Sequence, residues 1–333
     1  MTQDAQGVPS RAGGPGDDLT LTELAARVGT DEDTVRAYWL ALGLPVVEGA
    51  ERIFTEDDVA ALSQILAFAQ ATGLDESTMT TLVRSTGHTM ERLVLWQAEA
   101  LVGDLVEHHG VDPVTARLKL LDALPRIAPL LEEQLRHAWR RHLATYATRY
   151  EVEFSAMRDD GTPVDDLELA RAVGFADIVD FTKRTAGYDS VELSQFVQSF
   201  EAGARDRIAS AGGRVVKTIG DAVLFVADTV ATGAEVALRL RESPDEPGAA
   251  GVPVRVSLVW GRVLSRFGDV FGPSVNLAAR LVDIAEPGSV LMDRATAALL
   301  AGEPGLALTA ESPREVQGLG VVEPVRLQRA YQG

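Results

Sequence analysis

The 333-residue sequence contains no cysteine, which excludes disulfides, thiolate-bound metals and a cysteine nucleophile. Lysine is almost as scarce. Only Lys119, Lys183 and Lys217 occur, so arginine supplies 31 − 3 = 28 of the basic residues. No apolar run reaches the ~18 residues of a membrane span. The opening stretch, MTQDAQGVPSRAGGPGDD, lacks the basic start and apolar core of a secretory leader, so the expected compartment is the cytoplasm. Basic charge is in deficit: 49 acidic residues against 31 basic ones give a net charge of −18. That balance argues against broad binding to DNA, RNA or anionic lipid. What remains is the profile of an ordinary globular protein, with 46% hydrophobic and 24% charged residues, long enough for about two domains.

The chain changes character near its middle. Residues 1–16 are rich in Gly, Pro and polar groups and are expected to be a disordered tail. From 17 to 150 the pattern is helical. Leu21–Val28 closes on Gly29, the segment Thr30-Asp31-Glu32-Asp33 caps a second helix running to about Leu42, and Thr55 stands where it can cap the next. Later helices are expected over Met90–Val106, Pro113–Leu124 and Ala128–Tyr150, separated by Gly110 and Pro125. Residues 151–167 are acidic, with Gly161 and Pro163, and read as a linker. From 168 to 333 short Val/Ile/Phe runs alternate with helical stripes. Strands are expected over Ala172–Ala176, Arg214–Ile219, Ala222–Ala227 and Val254–Val259, which gives an α+β domain. Gly220-Asp221 between two of these runs is a hairpin signal.

Three segments carry chemistry. In FADIVDFT, Asp177 and the Ile178 carbonyl sit at a strand end, where they suit Mg²⁺ or Mn²⁺; the alternative is an N-cap aspartate for the next helix. In KTIGDA, Asp221 occupies a hairpin tip, either as a plain turn residue or as a second carboxylate beside the first. Two carboxylates can hold two metals against phosphate charge. In DVFGPSVNLAAR, Asn276 and Arg280 are four apart and share a helix face, with Val275, Ala278 and Leu281 on the other. An arginine so placed is often a surface ion-pair residue, but that does not explain a weak helix former such as Asn one turn before it.

Together, and in this order and spacing, the three segments resemble the catalytic domain of class III nucleotidyl cyclases over residues 168–330. The resemblance implies a ferredoxin-like βαββαβ palm, preceded here by an all-α regulatory domain at 17–150. It implies a head-to-tail homodimer with ATP sites at its interface and cyclic AMP and pyrophosphate as products. Asp177, Ile178 and Asp221 would hold two metal ions, Mg²⁺ or Mn²⁺. Lys217 and Asp269 would read the adenine, Asn276 would orient the ribose and Arg280 would stabilise the transition state. The chemistry agrees. Adenine offers an acceptor at N1 and a donor at N6, which an ammonium and a carboxylate can answer, whereas guanine presents the reverse. The GG[DE]EF signature of the related diguanylate cyclases is absent. Two departures stand out. Ser257 replaces the first glycine of the family's Gly-x-x-x-Gly, which here ends at Gly261. Gln317-Gly318 replaces a Lys-Gly pair that helps hold the triphosphate, with Arg314 as a substitute. The competing readings are a guanylate cyclase and a catalytically silent homologue acting as sensor or scaffold.

The stretch Leu21–Leu62 is similar to the helix-turn-helix and wing of MerR-type regulators. Between residues 17 and 62, however, eleven acids face three arginines, 3 − 11 = −8, and a phosphate backbone would repel such a face. No nucleic-acid partner is expected. The whole N-terminal part resembles helical domains that precede some soluble actinobacterial cyclases, modulate them and in some cases respond to pH. All five histidines, His88, His108, His109, His137 and His142, lie in this part.

Overall fold

The computed structural model describes residues 18–45, 51–159, 168–242, 252–266, 268–316 and 318–330. The chain divides at 160/161 into two compact units. The expected tail at 1–16 and Gln317 lie outside the described residues.

The first unit is helical: α1 (Leu21–Val28), α2 (Glu32–Ala41), α3 (Glu56–Thr72), α4 (Glu76–His109) and α5 (Pro113–Asp159). Its short helices start where side chains can satisfy the free amides. Thr20 and Thr55 each form a reciprocal capping box, and Asp31 accepts from the Thr34 amide. Gly29 and Gly73 end α1 and α3 in the left-handed conformation. A small core of Leu19, Leu24, Val35, Phe54 and Leu62 holds α1, α2 and α3 together, and Trp39 packs edge-on against Phe54 with ring centroids 4.8 Å apart.

Two expectations fail here. Pro125 does not break the chain into two helices: both Pro125 and Pro129 lie inside α5. A proline removes one backbone donor and crowds the carbonyl four residues before it. Leu121, Leu124, Pro125 and Pro129 are all exposed, so water can take the freed carbonyls. The same helix continues through 151–159, where a linker was expected. The rest of the expected linker, 160–167, lies outside the described residues.

The second unit contains β1 (Glu168–Ile178), α6 (Phe181–Thr185), α7 (Ser190–Ser210), β2 (Arg214–Ile219), β3 (Ala222–Ala227), α8 (Val230–Arg241), β4 (Val254–Arg266), β5 (Asp269–Phe271), α9 (Pro273–Ile284), β6 (Val290–Asp293), α10 (Arg294–Leu299), β7 (Leu306–Ala310), β8 (Arg314–Val316), β9 (Gly320–Val322) and β10 (Pro324–Arg329). The main sheet runs β2-β3-β1-β4-β6-β10-β7, with β5 paired to β4. Each neighbouring pair among its first four strands is antiparallel, and these strands follow the βαββαβ order of a ferredoxin-like palm. β6 adds to β4 in parallel and begins an extension through β10 and β7.

Strand alternation gives each sheet face its own core. Ala172, Ala176, Phe225 and Leu258 pack with Ala204 and Ile208 of α7 and Val236 and Leu238 of α8. Val173, Phe175, Leu224 and Val259 pack with Val275, Ala278 and Leu281 of α9. Asp177 continues the second set by period two, so it emerges on the α9 face at the end of β1.

Candidate active site

β1 delivers Asp177 to the end of the sheet opposite Arg255 of β4 and Ala222 of β3. The amide of Ile178 donates to the carbonyl of Asp221 at 3.2 Å. That bond ties the strand end to the β2–β3 tip, where Gly220 takes φ 62° as the tight turn requires. Asp177 is largely buried, with 21% of its side chain exposed. Burial, then the charge of Asp221 and, more weakly, that of Asp283 on α9 push its carboxyl above the ordinary range, while Arg255 opposes them. Arg255 Nη2 lies 3.3 Å from Asp177 Oδ2, and its Nε is buried with no hydrogen-bond partner.

This donor set fits a hard divalent cation. The charge of Asp221 helps raise the proton affinity of Asp177, and a cation beside them would relieve that repulsion. Among the described residues no group of three or more His, Asp or Glu converges as a ready-made cage, so backbone and substrate oxygens would have to complete the shell.

The second pair joins β2 to β5. Lys217 Nζ meets Asp269 Oδ2 at 2.5 Å, and Asp269 Oδ1 accepts from the Val270 amide at 2.8 Å. β2 changes register against β3 between Val215 and Lys217, an irregularity that re-aims side chains along a strand. The third pair lies on α9. Pro273 opens that helix, and the Asn276 amide donates to the Gly272 carbonyl at 3.2 Å. Val275, Ala278, Leu281 and Val282 are buried, which leaves Asn276 and Arg280 exposed. Arg280 Nη1 contacts Asp283 Oδ2 at 3.3 Å.

The structure therefore brings Asp177, Ile178 and Asp221 together at one tip and pairs Lys217 with Asp269. Asn276 and Arg280 share one exposed helix face. Arg314 is not the free cation expected of it: it donates to the Ile284 carbonyl at 2.8 Å and pairs with Glu311 at 3.3 Å, so it serves the fold. Sequence reasoning missed Arg255 and Asp283. Arg255 left a signal, a lone charge among the apolar residues of Val254–Val259. Asp283 left none beyond helical spacing.

Residues 170–328 match the family model described as adenylate and guanylate cyclase catalytic domain. The chain is 41% identical to an adenylate cyclase of Glutamicibacter nicotianae, over 92% of this chain and 77% of that protein. It is 35% identical to an adenylate cyclase of Streptomyces coelicolor, over 93% of this chain and 86% of the relative. An adenylate cyclase of Streptomyces griseus is 38% identical over 84% of this chain and 67% of its own length. No helix among the described residues is long and apolar enough to cross a membrane.

Proposed function

The chain belongs to the adenylate and guanylate cyclase family, and we propose that it converts ATP to 3′,5′-cyclic AMP and pyrophosphate at the interface of a homodimer. The observation that carries the choice of purine is the Lys217–Asp269 pair. Its ammonium can donate to adenine N1 and its carboxylate can accept from N6. A guanine base would oppose donor to donor and acceptor to acceptor, leaving buried polar groups mismatched. The curated relatives, named as adenylate cyclases, support the same choice.

In the reaction the ribose 3′-oxygen forms a bond to the α-phosphorus, the bond to the bridging oxygen of pyrophosphate breaks, and the hydroxyl proton is lost. Most of the barrier is met by positioning and by charge stabilisation. Lys217 and Asp269 fix the base. Asn276 orients the ribose. Arg280 presents planar donors to oxygens whose charge grows as the bonds exchange. Asp177, Asp221 and the Ile178 carbonyl would hold two Mg²⁺ or Mn²⁺ ions, which supply Lewis acidity toward the hydroxyl and the phosphates. Arg255, beside Asp177, is a cation at this end of the sheet that could meet phosphate charge in place of Arg314.

Asn276 and Arg280 are exposed on their own subunit, as residues that act on a neighbour's substrate need to be. A second copy would bring them to the metal-holding tip, so that one homodimer builds two sites. The helical unit at 17–150 would modulate that assembly. The test is an assay of the purified chain with ATP and with GTP, in Mg²⁺ and in Mn²⁺, with products separated by chromatography. Cyclic AMP from ATP and little cyclic GMP is the expected result. No product under any condition would favour the silent homologue.

A further inference from the structure

The β1–β4 ladder contains a gap beside the candidate active site. Val173 pairs with Val259 and Ala176 with Val256, in one unbroken register, but the intervening Gly174–Leu258 and Phe175–Ser257 pairs are missing. The gap is filled by a side chain. The Phe175 amide donates to the hydroxyl oxygen of Ser257 at 3.1 Å, and Ser257 is fully buried. Gly174 permits the altered geometry: a Cβ there would lie 2.3 Å from both the Ser257 carbonyl oxygen and the Phe225 ring, so only glycine lets that carbonyl lie so close. Two residues further along each strand, the ladder resumes with the cross-strand pair Asp177–Arg255. All four residues share the α9 face of the sheet, because directly paired residues and positions two apart point the same way.

We propose that Ser257 is a positioning residue for the metal-holding end of β1. Its hydroxyl stands in for a ladder hydrogen bond and sets how far apart β1 and β4 run as they reach Asp177 and Arg255. Ordinary backbone pairing at this point would draw the strands together and close the Asp177 carboxylate onto the Arg255 guanidinium. A missing partner for the Phe175 amide would leave a buried donor unsatisfied and loosen the strand end. Ser257 departs from the glycine of the resembled family, so the adjustment belongs to this chain's own sequence.

The inference rests on the reading that Asp177 and Asp221 hold a divalent cation. The experiment compares the wild-type protein with Ser257→Ala and with Thr296→Ala. Thr296 is a matched control: its hydroxyl accepts from another β4 amide, that of Trp260, at 2.7 Å, away from Asp177. Mn²⁺ binding in the presence of 3′-deoxy-ATP is measured by electron paramagnetic resonance, and amide hydrogen exchange by mass spectrometry. In Ser257→Ala the peptide spanning 172–178 should exchange faster, and Mn²⁺ affinity should fall about fivefold or more. Thr296→Ala should lower the melting temperature and leave Mn²⁺ affinity within about twofold of wild type. Unchanged Mn²⁺ affinity in Ser257→Ala, or equal losses in both variants, would overturn the positioning role. Failure of the wild-type protein to bind Mn²⁺ with the nucleotide would instead remove the metal reading beneath it.

Discussion

Lys217 and Asp269, 52 positions apart in the chain, form an ion pair across β2 and β5. The two side chains are 42% and 26% exposed, so the pair contributes at most ~1 kcal/mol to stability. Its effect on turnover should be far larger. Lys217→Glu combined with Asp269→Cys should leave the melting temperature nearly unchanged and lower kcat/KM for ATP by about 10²-fold or more, as steady-state kinetics would show. Undiminished ATP turnover in the double variant would remove both residues from base reading.

Subunit complementation tests the shared site. Asp177→Ala and Arg280→Ala should each abolish activity alone. Mixed after subunit exchange, about half of the dimers carry one intact site, and cyclic AMP production should return. If exchange is shown by mass spectrometry and activity stays absent, the site is not shared between chains.

Asp180 is the one described non-glycine residue with positive φ, at 56°. It sits between the Asp177-Ile178 segment and α6, and its carboxylate lies 3.0 Å from Lys183 Nζ. Aspartate tolerates the left-handed region where a β-branched residue does not. Asp180→Gly should therefore stay within about 1 kcal/mol of wild-type stability, while Asp180→Val should cost about 1–2 kcal/mol more. Urea denaturation of the two variants makes the comparison.

Acid should weaken the second unit through Glu235. Hydrogen bonds from Arg329, and less so from Arg239, hold its carboxyl below the ordinary range. A group whose folded pKa is depressed contributes stability above its unfolded value near 4.5, and that stability is lost as pH falls through the folded value. The melting temperature should drop as pH falls from about 5 toward 3. In Glu235→Gln the drop should be shallower, and the variant should already be less stable at neutral pH. Parallel melting curves across that range would show that the Arg329 contact contributes no pH dependence.

Much of this architecture is legible in the residues. The hairpin around Gly220-Asp221, the strand ending at Asp177 and the α9 stripe follow from period-two and period-3.6 patterning with turn chemistry. The Thr55 and Asp31 caps follow from residue type at helix starts. Other features depend on what lies across space. Pro125 reads as a helix stop because propensity is local, yet exposed carbonyls on α5 tolerate it. Arg314 looks available until the Ile284 carbonyl and Glu311 are seen beside it. Arg255 meets Asp177 only because two strands 78 positions apart share a register. The proposed roles of Asn276 and Arg280 follow from resemblance and from their shared exposed helix face.

β5 runs from Asp269 to Phe271, and α9 begins at Pro273. Asp269, Asn276 and Arg280, proposed to meet the base, the ribose and the phosphates, thus lie on one uninterrupted stretch, with Gly272 as the N-cap of α9. In the proposed site a short run of codons encodes three of the four nucleotide contacts, while the carboxylates proposed to hold metal come from the end of β1 and the β2–β3 turn. Recombination or gene conversion confined to that run would move the proposed Asp269, Asn276 and Arg280 contacts as one cassette and leave Lys217 and the acidic tip in place. Within a paired assembly, two related chains carrying different cassettes would each equip the other's site, so substrate preference in such hybrids would be inherited from the partner's sequence rather than the subunit's own.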